Sequence, residues 1–189
     1  MQELVAADKE LFLFLNGLGS VGFDNFWLMI SEKWIWIPLY LVFLIVLLRS
    51  YGWRALLYML VFIALGVAVS DQLAGIFKVG IARLRPCHDP ALETLMREVE
   101  CGGSFGFYSA HASNTFFIAN FMTLMLKRKF GWFPYFLFLW AAIVSYSRIY
   151  LGVHFPMDVL MGGGVGYLLG GLFATLSLKV INKKYTGMQ

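Results

Sequence analysis

Five apolar segments, each near the length that crosses a lipid bilayer, constrain this chain of 189 residues more than any other feature. They run from Trp34 to Leu48, Ala55 to Phe77, Ala112 to Leu126, Trp132 to Tyr146 and Val159 to Val180. A spanning helix needs about 20 mostly apolar residues, since lipid offers its backbone no hydrogen-bond partners. The first, third and fourth are short as pure apolar runs, so each is expected to extend into its flanks or to pack against protein. The first could begin near Asp24. A hydrophobic content of 60% and a mean hydropathy of +0.72 exclude an ordinary soluble domain. The pattern predicts an all-α integral membrane protein: a bundle of five or six transmembrane helices forming a single domain over residues 1–189.

Upstream, Leu11–Leu18 and Phe23–Ile30 are apolar stretches broken by Asn16-Gly17 and by Gly19 to Gly22, with acidic residues on the rim. They predict an amphipathic interfacial helix at the N-terminus, a sixth span being the alternative. The chain opens on Gln2, Glu3, Asp8, Lys9 and Glu10 rather than a basic region, so the spans themselves are expected to direct insertion. Arg49 and Arg54, then Lys127-Arg128-Lys129, then Lys179, Lys183 and Lys184 fall on one face if each span crosses once. The positive-inside rule makes that face cytoplasmic. The loops Lys78–His111 and Ser147–Asp158 then share the outer face. Basic loops of this kind account for the net charge of +4, and no nucleic-acid partner is expected. Trp27, Trp34, Trp36, Trp132 and Trp140 are expected near span ends as interfacial anchors. Gly162, Gly166 and Gly170 mark one helical face, for close packing within the chain or against a second copy.

The outer loops carry the chemistry. Cations are expensive near a bilayer, so Lys78, Arg85 and Arg148 on one membrane side form a candidate site rather than decoration. Guanidinium groups grip phosphoryl oxygens bidentately and an ammonium adds a point charge, a combination suited to phosphoryl transfer. Taken singly, each cation would be read as snorkelling to the headgroups. His154 and Asp158, four apart, share a helical face, so the carboxylate can hold the Nδ1 proton and leave Nε2 as a nucleophile. A histidine and a carboxylate capping the next helix are the other reading of the pair. His111 could serve as general acid and base, and Ser109 with nearby backbone amides at a helix N-terminus could hold phosphate. His88 is left without a role. No carboxylate cluster of the kind that holds magnesium is present in the sequence.

The pattern Lys78, six residues, Arg85-Pro86; Ser109-Ala110-His111; and Ser147-Arg148, five residues, His154, three residues, Asp158 resembles the three-part motif of the type 2 phosphatidic acid phosphatase superfamily. The match covers residues 78–158. In the second part Tyr108 stands where the family has proline and Ala110 where it has glycine. The resemblance implies that His154 is the nucleophile forming a phosphohistidine, that Asp158 orients it, and that His111 is the general acid and base. It further implies that Lys78, Arg85, Ser109, Ala110 and Arg148 bind the phosphate, with no metal and no cofactor. Arg83 lies outside the motif, as a headgroup contact or an auxiliary substrate contact. Cys87 and Cys101 can pair if their loop faces an oxidising compartment.

The expected activity is metal-independent hydrolysis of a lipid phosphate or pyrophosphate, of the undecaprenyl pyrophosphate, phosphatidylglycerol phosphate, phosphatidic acid or lipid A type. The expected place is a bacterial-type inner membrane with the site facing the periplasm. The lipid phosphate and the bilayer are the partners, with no obligate protein partner. A lipid phosphotransferase, a sugar-phosphate phosphatase and a non-enzymatic anionic-lipid transporter are the rival readings.

Overall fold

A computed structural model describes residues 2–126 and 131–186, which form six α-helices: α1 (Gln2–Gly17), α2 (Val21–Ser31), α3 (Ile37–Ile81), α4 (Ala110–Leu126), α5 (Phe133–Tyr150) and α6 (Pro156–Thr186). The basic group Lys127-Arg128-Lys129 lies outside the described residues. By length and composition alone, Lys33–Ile81 and Pro156–Lys183 are apolar enough to cross a membrane. Within α3 the chain reverses at Gly52, whose φ of 78° is open to glycine and costly for other residues. Its arms, 37–51 and 53–81, run antiparallel. Trp36 and Tyr40 share a cavity with Asp71 and Val67, while Phe43, Leu44 and Leu47 share another with Leu60 and Ile63. The first two apolar segments are therefore a helical hairpin, turned where Arg49 and Arg54 interrupt the apolar sequence.

α4 is the central helix. Ala119, Asn120, Phe121 and Met122 are all buried, and four consecutive residues cover a full turn, so protein surrounds it on every side. α6 packs along it in parallel. A Cβ on Gly162, Gly166 or Gly170 would come within 2.4, 2.0 and 2.4 Å of the carbonyl oxygens of Ser109, Ser113 and Phe117. The glycine stripe thus packs inside the chain. Because the two helices start at the same end, their N-termini meet, and the Ser109 N–H donates to the Asp158 carbonyl at 3.0 Å.

Two expectations are corrected. The N-terminal segment is two helices rather than one, and α1 turns Asp8, Phe12 and Asn16 inward onto protein while Leu4, Val5, Leu11 and Phe14 stay exposed on its other face. Neither helix has the length to span, at 16 and 11 residues. The tryptophans also divide. Trp34 and Trp132 are exposed, but Trp140 is buried in the core edge-on to Trp36, and Trp27 stacks on Tyr150. Their rings fill gaps between helices that a linear sequence does not show.

The long loop between α3 and α4 is tied down at several points. Ala82, in the left-handed conformation, ends α3 by donating its N–H to Lys78 O. Leu84 pairs with Phe105, and the amides of Val99 and Glu100 donate to Leu151 O, joining this loop to the one between α5 and α6. Asn16 of α1 donates to the carbonyls of Arg97 and Tyr150. A disulfide joins Cys87 to Cys101, with Cα atoms 5.8 Å apart. Closing a loop of that length stabilises by about 3 kcal/mol in the chain-entropy view. Replacing both cysteines by serine is expected to lower the unfolding free energy by about that amount. Thermal unfolding of the purified protein measures it, and an unchanged midpoint would show that the staple contributes nothing.

Candidate active site

The residues singled out in the sequence gather at one end of the bundle, most of them on helix termini. Lys78 lies in the last turn of α3, His111 in the first turn of α4, Arg148 in the last turn of α5 and Asp158 in the first turn of α6. Arg85 and His154 stand on the connecting loops. The helices are thus longer than hydropathy marks them, since they continue into the polar residues of the candidate site.

Asp158 is fully buried, and its oxygens are committed. Oδ2 faces His154 Nδ1 at 3.4 Å and accepts the Phe155 N–H at 3.1 Å, while Oδ1 accepts Arg83 Nη1 at 2.9 Å. A carboxylate can only accept, so Nδ1 carries the proton and the neutral ring keeps its lone pair on Nε2. Burial holds the imidazole well below its usual range, to about 4, outweighing Asp158, which pulls the other way; Arg85 and Arg148 reinforce the lowering. His154 is therefore neutral at pH 7. Gly106 lets the first loop come this close, since a Cβ there would lie 3.0 Å from Asp158 Oδ2 and 3.5 Å from His154 Nδ1.

The cations lie within electrostatic reach of the same histidine–carboxylate pair. Burial is the main influence lowering the Arg85 guanidinium, repulsion from Arg148 the next. Lys78 lies within electrostatic reach of Arg85, Asp158 and Arg148. His111 feels Arg148, His154 and Lys78. Arg85 Nε donates to Phe105 O at 3.2 Å, which orients its fork. Arg148 donates through Nη1 to Ser31 Oγ and, at 3.3 Å, to Glu100 Oε2. Its Nε is buried with no partner among the described residues, a donor that an anionic ligand would satisfy.

The second motif shows what its substitutions do. Tyr108 is fully buried with its ring 5.5 Å from Phe77, an anchor for the loop. Ala110 is the first residue of α4 and does not have a positive φ, so alanine serves there without strain. Ser109 Oγ accepts the Ala112 N–H at 3.4 Å, and the first-turn amides of α4 begin beside it. His111 opens onto a cavity of about 300 Å³ walled by both arms of α3, with Lys33, Asp71 and Asn114 as polar lining and Val67, Ile118 and Val144 as apolar lining.

Sequence reasoning missed Ser31, Glu100, Asp8 and the place of Arg83. Arg83 turns to two carboxylates: Nη2 donates to Asp8 Oδ2 at 2.6 Å and Nη1 to Asp158 Oδ1 at 2.9 Å. Helical spacing of Asp8, Phe12 and Asn16 at every fourth residue was the available signal, an acid and an amide on one face with an aromatic. His88 bonds Gly102 O at 2.9 Å in the loop, and its neighbours Cys87 and Cys101 have their sulfurs joined to each other.

Three kinds of likeness bear on this arrangement. The family model described as the PAP2 superfamily matches residues 55–182. A lipid A 4'-phosphatase of Bacteroides thetaiotaomicron is 36% identical over 177 residues, covering 92% of this chain and 78% of that protein. A lipid A 4'-phosphatase of Porphyromonas gingivalis is 35% identical over 175 residues, covering 90% and 72%. In fold, the chain superposes on the crystal structure of a transmembrane PAP2 type phosphatidylglycerolphosphate phosphatase from Bacillus subtilis. That match has a TM-score of 0.71 at 23% identity, over 95% of this chain and 89% of that one.

Proposed function

The chain belongs to the PAP2 superfamily and is a membrane lipid phosphatase, and on that premise we propose that it removes phosphate from a lipid A-type phosphomonoester through a phosphohistidine on His154. The observation that carries the mechanism is the His154–Asp158 contact, which leaves Nε2 free within electrostatic reach of Arg85 and Arg148. Nε2 attacks phosphorus as the bond to the lipid oxygen breaks. Asp158 takes up the positive charge that develops on the ring, and His111 gives the leaving alkoxide its proton. Water then attacks the phosphohistidine, His111 takes its proton, and the P–N bond breaks to release inorganic phosphate and neutral His154. Lys78, Arg85 and Arg148, with Ser109 and the backbone of Ala110 at the start of α4, hold the phosphoryl oxygens as charge shifts.

The two named relatives support lipid A over the other lipid phosphates. The cavity beside His111 supports a lipid, since its walls combine charge with apolar side chains between helices. In the membrane reading, the two arms of α3 with α4, α5 and α6 make five crossings, α1 and α2 cover the outer end, and the site faces the periplasm of a bacterial inner membrane. The whole chain acts as one phosphatase domain, with 78–158 as its core.

The test is phosphate release by the purified protein in EDTA. The panel holds lipid A, phosphatidylglycerol phosphate, undecaprenyl pyrophosphate and phosphatidic acid. Release is expected to survive the chelator and to be fastest from lipid A. Another lipid winning by tenfold or more would overturn the substrate, and labelled phosphate appearing on an acceptor lipid would make the enzyme a transferase.

A further inference from the structure

We propose that Asp8 and Arg83 are positioning residues for catalysis, a part-buried carboxylate–guanidinium pair that holds Asp158 in place for His154. The proposal rests on the phosphohistidine reading above and adds two residues to it. Arg83 bridges two carboxylates with separate nitrogens, Asp158 at 2.9 Å and Asp8 at 2.6 Å. Its guanidinium carbon lies 4.1 Å from the centre of the Phe155 ring, between the two members of the pair in sequence. Phe155 in turn meets Phe12 edge-on at 5.3 Å. Asp8 uses its other oxygen to accept the Met157 N–H at 2.9 Å, in the first turn of α6 beside Asp158. The N-terminal helix therefore grips the loop 154–158 at three places: a carboxylate on the helix start, an aromatic contact and the shared arginine.

Chemistry favours positioning over substrate contact. Both terminal nitrogens of Arg83 are engaged by carboxylates, so turning the guanidinium toward a phosphoryl group would take a cation from Asp158, a wholly buried charge. A second acid is also needed if the arginine is not to neutralise Asp158 outright. Asp8, itself buried, shares the cation and leaves Asp158 able to hold the developing imidazolium. Groups that orient a ligand or catalytic histidine through its partner commonly cost 10–100-fold on removal.

The experiment compares steady-state kinetics of wild type, Arg83→Gln, Asp8→Asn, the double variant, Arg85→Gln and His154→Gln on the best lipid of the panel. Arg83→Gln is expected to lower kcat by about 10–100-fold with KM within about twofold. Asp8→Asn should do the same more mildly, and the double variant should lose less than the product of the two single losses, because the two residues share one guanidinium contact. Arg85→Gln should raise KM. A raised KM in Arg83→Gln would make it a substrate contact and overturn the proposal, as would an unchanged kcat. If Arg83→Gln does not fold, the nearly isosteric Asp8→Asn decides alone, and full kcat there overturns the proposal. Activity retained by His154→Gln would instead remove the phosphohistidine reading itself.

Discussion

His154→Gln is expected to lower lipid phosphate hydrolysis by about 10⁴-fold or more, the scale seen when a catalytic nucleophile is deleted. Glutamine suits the test because its amide can still donate toward Asp158 Oδ2, which the imidazole now meets at 3.4 Å. The buried carboxylate keeps a partner, so loss of activity reports chemistry rather than collapse. What glutamine lacks is a nucleophilic nitrogen, since the amide lone pair is delocalised into the carbonyl, and without it no P–N bond forms. Rapid quenching with labelled substrate is expected to leave alkali-stable, acid-labile phosphate on the wild type and none on the variant. A variant that turns over within tenfold of wild type, with an unchanged melting point, would refute the nucleophile. The cations would then hold a phosphate attacked directly by water.

Gly166→Val is expected to destabilise the protein by about 3 kcal/mol or more and to abolish activity with it. A Cβ at this position would fall 2.0 Å from the Ser113 carbonyl oxygen and 2.8 Å from Ser113 Cα, both backbone atoms of the central helix. No rotamer relieves such an overlap, so α6 must move off α4. Moving it separates Ser109 from Asp158, whose backbones are bonded at 3.0 Å, and with them the second and third motifs. Gly164 provides the control, since a Cβ there meets nothing within 4 Å. Gly164→Ala should keep activity and melt no lower, alanine being the better helix former. The comparison is made by thermal unfolding in detergent. Equal melting points for the two variants would show that the α4–α6 contact tolerates a side chain.

Much of the site was legible because charge in an apolar chain is rare. Lys78, Arg85, His111, Arg148, His154 and Asp158 stand out against their surroundings, and their spacing carries the family motif without any structure. The two-helix turn at Gly52 was legible for a similar reason, a polar break between apolar runs. Arg83 was not. Its two partners lie 75 residues away in opposite directions, and a cation near a membrane reads equally well as a headgroup contact. Ser31 is separated from Arg148 by 117 residues and carries no local mark at all. The tryptophans misled because amphipathic rings serve at interfaces and in cores alike, and Trp140 is settled by the neighbours that surround it.

Sequence by itself determined the class of molecule, an apolar helical protein of the PAP2 superfamily, and the candidate site: a histidine–carboxylate pair among cations of a kind that suits phosphoryl transfer. Those follow from hydropathy, spacing and side-chain type, which are local properties. Tertiary structure alone decided that α4 lies at the centre, that the glycine stripe packs α6 on it in parallel, and that α1 closes over the site through Asp8, Phe12 and Asn16. The physical reason is that a buried charge is defined by its partner, and Asp8 meets Arg83 and the start of α6 only once the whole chain has folded.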